Sequence, residues 1–288
     1  MMNTIAAATG AHFHPAPSMA SPANSPPPPT DLGRVTVTGH HTGSFGGFSG
    51  TMFRAMFENP FNSGLGKDTG DNSVEQDPTG PETPPVWFDP NVVVQTSTFY
   101  SELPAYAQNA LMSSPTLVNQ LATFMMQNSG SIQFNPNLEA RGVFRNTIPP
   151  MIEVHQDLLN ALNNGEYLAR EGFLSVLAHE LGHAMTATSG YVLDASSRSS
   201  FIASGLQSEA YAVLNVMLSM HEVSLAGHGQ FIVHTGGNAS NAYETLYWQF
   251  AQDGNLDNLL ASIKGHMLGT TYPQYYNDLY DQTYPGGP

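Results

Sequence analysis

The stretch Phe173-Leu-Ser-Val-Leu-Ala-His-Glu-Leu-Gly-His-Ala184 decides how this chain is read. Phe173, Leu174, Val176, Leu177, Leu181 and Ala184 recur at helical spacing, and Gly190 supplies a stop, so an amphipathic helix is expected over Glu166 to Thr188. Inside it, His179, Glu180 and His183 form the pattern H-E-x-x-H. Residues i and i+4 lie one turn apart on one helix face, so both imidazoles can reach a single metal ion. Zinc accepts imidazole nitrogen and keeps an open position in catalytic sites. Glu180, beside the first His, can serve a water there as general base and then as proton donor. Eleven His and 12 Glu among 288 residues make the pattern a rare accident. The bland reading is a coincidental, exposed His pair. The apolar surroundings weigh against it, because burying two His and a Glu is costly unless they are paired or ligated. Gly182 and Ala184 are small enough to admit another element close to the turn that carries the pattern.

Outward from this helix, short elements follow one another. Leu111 to Met126 has helical spacing through Leu117, Leu121, Phe124 and Met125. Ser131 to Phe134, Gly142 to Phe144 and Met151 to His155 read as strands, and Gln156 to Asn163 as a short helix. Residues 189–204 read as a Ser-rich loop. A second strong helix is expected from about Leu206 to Val223, then shorter ones over Tyr243 to Ala251, Asn255 to Lys264 and Pro273 to Tyr280. Helix, small sheet, helix and helix in that order define an α+β class.

The first third of the chain differs in kind. Residues 1–33 are rich in Ala, Ser and Pro, with Pro26 to Pro29 in a row, and read as a disordered arm. Residues 34–85 read as a poorly structured segment and linker, which leaves 86–288 as the globular domain. Of 288 residues, 27 are Gly and 21 Pro, and much of that excess sits before residue 86. Cys is absent, so disulfides and thiolate chemistry are excluded and any zinc site falls to His and carboxylate. A formal charge of −15 excludes nucleic acid and anionic membrane as nonspecific partners. No run approaches the length of a membrane span, and Met1 to Ala20 lacks the basic flank of a secretory signal. Arg141 and Arg145 are read as partners of local acids, with a substrate carboxylate as the alternative. His12, His14, His40 and His41 are read as solvent-exposed.

Leu177-Ala-His-Glu-Leu-Gly-His-Ala184 resembles the active-site helix of zincin metallopeptidases. The resemblance implies a zincin-like core: a small mixed sheet whose edge strand binds extended peptide, followed by the active-site helix. Gly142 to Phe144 and Met151 to His155 stand where that edge strand belongs, so substrate backbone is expected to pair with one of them. A catalytic zinc ion takes three protein ligands. The metzincin pattern fails, because Thr186 and Ser189 occupy its later Gly and His positions. Gluzincins take a Glu from a following helix, and Glu209 opens the next strong helix 26 residues beyond His183. Glu209 is the only carboxylate between residues 195 and 221 and is the preferred third ligand. Its bland reading is a first-turn Glu favoured by the helix dipole. Asp194, 11 residues beyond His183, is the alternative, although the usual aspzincin context around it is missing. His221, His228 and His234 are further candidates. Tyr191, Tyr211, His228, His234 and Tyr243 are candidate donors to a tetrahedral oxyanion.

The resemblance implies a one-zinc endopeptidase. The layout, a Pro-rich arm before a small zincin-like domain, resembles the toxin domains of bacterial polymorphic toxins and secretion-system effectors. It implies delivery by a type VI-like apparatus, without a signal peptide, into the periplasm or cytoplasm of a target cell. The partners so implied are a protein or peptide substrate, a cognate immunity protein and a component of the apparatus. The alternatives are a cytoplasmic or secreted zincin of housekeeping role, and a noncatalytic zinc-containing binding module.

Overall fold

A computed structural model of the chain describes residues 89–166, 168–233 and 240–285. The expected arm, the linker and His234 lie outside the described residues. The described part is α+β: a three-stranded mixed sheet set among helices, with a C-terminal part that is mostly helical.

Three short helices come first: α1 (Pro90–Gln95), α2 (Thr98–Glu102) and α3 (Ala105–Met112). They lie outside the elements expected from the sequence, being too short for a helical period to show. Asp89 and Ser97 cap the first two through side-chain oxygens. Then follows α4 (Pro115–Gln127), with Ser114 as its N-cap and Pro115 at its first position. The strands are β1 (Ser131–Asn135), β2 (Gly142–Arg145) and β3 (Met151–His155), and α5 (Gln156–Asn163) leads on from β3. These match the expected positions closely. The remaining helices are α6 (Ala169–Thr188), α7 (Arg198–Leu225), α8 (Ser240–Asp253), α9 (Leu256–Met267) and α10 (Tyr272–Thr283).

The sheet order is β1-β3-β2. β3 is therefore central, parallel to β1 and antiparallel to β2. This narrows the expectation about substrate pairing: β3 has strands on both sides, so of the two strands named only β2 has a side without a partner strand among the described residues. His155 N–H donates to the Arg141 carbonyl at 2.8 Å, and Val143 and Arg145 face Glu153 and Met151 across the ladder. Strand pairing alternates, so Gly142 and Phe144 turn their backbone groups outward, away from β3.

Two expectations need correction. α6 is not amphipathic. Every residue from Glu171 to Thr186 is buried, because α3, α4, α5, α7, β2 and β3 all pack around it. A helix apolar on nearly all sides belongs in the middle of a core. α7 begins at Arg198, not near Leu206, so the Ser-rich loop is shorter than expected. Ser197 caps it, its side chain accepting from Ser200 N–H at 3.0 Å, and Phe201 packs edge-on against Tyr280 and Tyr284. Tertiary packing overrides the weak helix propensity of that Ser-rich turn.

The small residues of α6 do what their size permits. A Cβ on Gly182 would stand 2.7 Å from Ala212 Cα, so α7 crosses α6 at that glycine with backbones almost touching. One turn away, Asn215 of α7 donates to the Ala178 carbonyl at 2.6 Å and exchanges two amide bonds with Gln120 of α4. On the sheet side, Phe99, Phe134 and Phe173 join α2, β1 and α6 with ring centroids 5.8–6.2 Å apart.

Candidate metal centre

α6 and α7 bring three side chains to one point. His179 and His183 leave α6 one turn apart, with their Nε2 atoms 3.1 Å from each other. Glu209 enters from α7, its Oε2 at 3.2 Å from His179 Nε2 and 3.5 Å from His183 Nε2. All three are buried, none more than 1% exposed. The close crossing at Gly182 sets this separation, because a larger residue there would push the helices, and with them Glu209, apart.

The donor set fits a metal ion. Atoms sharing one ion at about 2.0–2.2 Å stand about 3.3 Å apart in a tetrahedral shell, and the three separations bracket that value. Glu209 Oε2 is buried and faces both imidazoles. His183 Nδ1 lies 3.1 Å from Ser208 Oγ. An N–H donated there leaves the Nε2 lone pair pointing inward, which is the tautomer a metal requires. Charge agrees as well. Burial raises the Glu209 carboxyl, but His183 and His179 outweigh it and hold the group well below the usual carboxylate range. Burial holds His179 below its ordinary value, which favours the neutral ring. The Arg ion pairs among the described residues are Arg145–Glu153, Arg170–Glu171 and Arg198–Asp281, and none reaches this carboxylate. A buried anion between two rings needs a cation, and the group is one that could hold a single ion.

Glu180 lies beside the triad and is fully buried. Its Oε2 accepts the Phe144 N–H at 2.8 Å, on the outward side of β2. Its Oε1 is buried without a hydrogen-bond partner. Burial and the Glu209 charge push its carboxyl well above the ordinary value, and the Phe144 N–H pulls weakly the other way. Gly142 makes room for it: a Cβ there would lie 3.1 Å from Glu180 Oε1 and 2.4 Å from Val176 Cγ1.

The other sequence candidates fall elsewhere. Asp194 closes a turn, Oδ1 accepting the Ser196 N–H at 2.9 Å, and does not belong to the converging group. His221 packs on Tyr247 and Trp248 at the far end of α7. His228 follows that helix and is exposed, roughly 24 Å of helix beyond Glu209. Tyr211 is two residues past Glu209 and so points to another side of α7, where its ring meets Tyr191. Tyr191 donates to the Ser204 carbonyl at 2.8 Å. Tyr243 is buried near Tyr272, whose hydroxyl it influences. Arg145 pairs with Glu153, as expected.

Four features of the centre were not read from the sequence: Ser208, the Phe144 N–H, Tyr272 and Tyr276. Tyr276 of α10 donates to Glu209 Oε1 at 2.7 Å. Tyr272, one turn earlier, is buried too and lies beside Glu209. Burial and then Glu209, Tyr243 and Glu180 raise its pKa, so it stands within the field of both carboxylates. The signal available was Tyr272-Pro-Gln-Tyr-Tyr276, two tyrosines at i and i+4.

The chain matches no protein-family model, no characterised protein and no solved structure. What stands is a buried His-His-Glu group on crossing helices beside a small mixed sheet, an arrangement compatible with a zincin-like site. It marks the chain as a candidate metal-dependent hydrolase. No helix among the described residues is long and apolar enough to cross a membrane.

Proposed function

We propose that the chain is a zinc-dependent endopeptidase in which His179, His183 and Glu209 hold the ion and Glu180 is the acid–base residue. The observation that carries this reading is the convergence of three buried ligand atoms, His179 Nε2, His183 Nε2 and Glu209 Oε2, all within 3.5 Å of one another, with a fourth buried side chain, Glu180, beside them. Two imidazoles and a carboxylate suit zinc better than calcium or magnesium, which favour all-oxygen shells. Zinc held there would polarise a carbonyl and ease deprotonation of water near neutral pH.

The protein's own groups supply the remainder. Glu180 Oε1 takes the proton from the attacking water and returns it to the leaving nitrogen. Its raised carboxyl suits a group that must both accept and release a proton. The side of β2 that has no partner strand among the described residues supports a peptide substrate. An extended chain would pair with the outward backbone of Gly142 and the Phe144 carbonyl, because the Phe144 N–H is already engaged by Glu180 Oε2. A strand added there would run directly past the base. Tyr272, buried within the field of Glu209 and Glu180, is better placed to donate to a developing oxyanion than Tyr211 or His228.

Glu180→Gln tests this reading. The variant should keep its metal and lose hydrolysis of an unfolded protein substrate by a factor of 100 or more, on the order expected for a general base. Unchanged proteolysis would remove the assignment.

The biological setting we propose, a toxin delivered through a secretion apparatus and held in check by an immunity protein, is supported by the layout of the sequence. Expression in the bacterial cytoplasm and in the periplasm should arrest growth in one of them, and Glu180→Gln should relieve it. Normal growth in both would remove an antibacterial role.

A further inference from the structure

We infer that Tyr276 is a positioning residue for the metal centre, and that it couples metal binding to the docking of the C-terminal helix α10. This rests on the reading of His179, His183 and Glu209 as ligands.

Three observations converge on Tyr276. Its hydroxyl donates to Glu209 Oε1 at 2.7 Å and engages the oxygen that does not face the histidines. A carboxylate fixed at one oxygen is turned so that the other, Oε2, presents to the two Nε2 atoms. Ligating carboxylates are commonly held by such outer hydrogen bonds. Secondly, the Tyr276 ring occupies a place built for it. A Cβ on Gly205 would stand 2.4 Å from the ring, and Gly205 is one turn before Glu209 on the same face of α7. The glycine lets the ring lie flat on α7, which aims the hydroxyl at Glu209. Thirdly, Tyr276 is fully buried, while most of the helix carrying it is half-buried or exposed. Tyr272, Tyr276 and Tyr280 form the buried face of α10, half-buried Tyr275 and Leu279 flank it, and at the rim Arg198 pairs with Asp281 and donates to Asn277 at 2.8 Å. The exposed ion pair contributes little. Docking therefore depends on the tyrosine face, and Tyr276 ends on a metal ligand.

Coupling must run both ways. A metal that fixes Glu209 favours the docked helix, and the docked helix favours the metal.

The test uses the full chain, zinc as the probe, and three variants. Tyr276→Phe should weaken zinc binding about 10- to 100-fold, as removal of an outer-shell partner does, with helix content close to wild type and a lower apo-protein melting point, since Glu209 Oε1 loses its buried donor. Gly205→Ala should weaken zinc binding in the same range by displacing the ring, while leaving α7 helical. Tyr280→Phe, on the same helix but with no bond to the triad, should bind zinc normally. The absorption spectrum of the Co²⁺-loaded protein should change in the first two variants and not in the third. Hydrogen exchange in residues 272–283 should slow when zinc is added to the wild type, and this zinc effect should shrink in Tyr276→Phe. Equal zinc affinity in wild type and Tyr276→Phe, or exchange in α10 that ignores zinc, would overturn the inference while leaving the ligands standing. A wild type that binds no zinc would remove the underlying reading, and this inference with it.

Discussion

A single missing carbon at Gly142 keeps Glu180 where it is. Gly142→Ala would drive a methyl group into Val176 and against the Glu180 carboxyl. We expect a loss of about 1–3 kcal/mol in stability, as for other overpacked cores, and a fall in any hydrolytic activity. Denaturant unfolding and a peptidase assay check both, and a variant as stable as wild type would contradict the geometry. Glu153 gives a prediction in pH. Burial raises its carboxyl, and Arg145, Asn135 and Gln133 together more than reverse this, so it lies below its ordinary 4.5. Its folded value is depressed, so its stabilisation is complete above the unfolded value and fades as pH falls through the folded one. Glu153→Gln should flatten the acid limb of the stability curve, measured as unfolding midpoints from about pH 6 down to about pH 3. An unaltered acid limb would contradict the pairing. At this scale His179, Glu180 and His183 were legible because their spacing lies within one helix. Glu209 was legible because its stretch of sequence holds no other carboxylate. Tyr276 lies 67 residues from the Glu209 it holds, and the Phe144 N–H 36 from Glu180, so neither relation has a local signature.

Among the elements, α6 carries the centre and α7 completes it, and their crossing is fixed by more than apolar contact. Asn215 bonds to the Ala178 carbonyl, one residue before His179, and to both amide atoms of Gln120. Asn215→Ala strands these buried groups and should cost about 1–3 kcal/mol. Urea unfolding reads the loss, and a change under about 0.5 kcal/mol, the usual range for an inert surface site, would contradict the clamp. The strands and α5 were legible from alternation and from their turn residues. The start of α7 was not, because Ser-rich sequence favours loops until packing on α10 decides otherwise. The burial of α6 on every side was hidden too, since periodicity reports a preferred face and cannot report how many neighbours surround it.

For the molecule as a whole, the absence of Cys and the −15 charge acquire a common meaning. Without thiolates, an ion would fall to imidazole and carboxylate, and a cation at the triad would offset the buried Glu209 charge. An ion that binds only the folded state stabilises it. Zinc at 100 times its dissociation constant adds about 2.7 kcal/mol, which should raise the melting temperature by about 5–10 °C for a domain of this size. A melting curve that ignores zinc would count against a site formed by folding. The measurement closest to the central claim is metal content per chain in the purified full-length protein, compared across wild type, Glu180→Gln and Glu209→Ala. One zinc ion in wild type and in Glu180→Gln, with loss in Glu209→Ala, is the predicted result. Wild type without stoichiometric metal, or Glu209→Ala that retains it, would contradict the assignment of His179, His183 and Glu209 as its ligands.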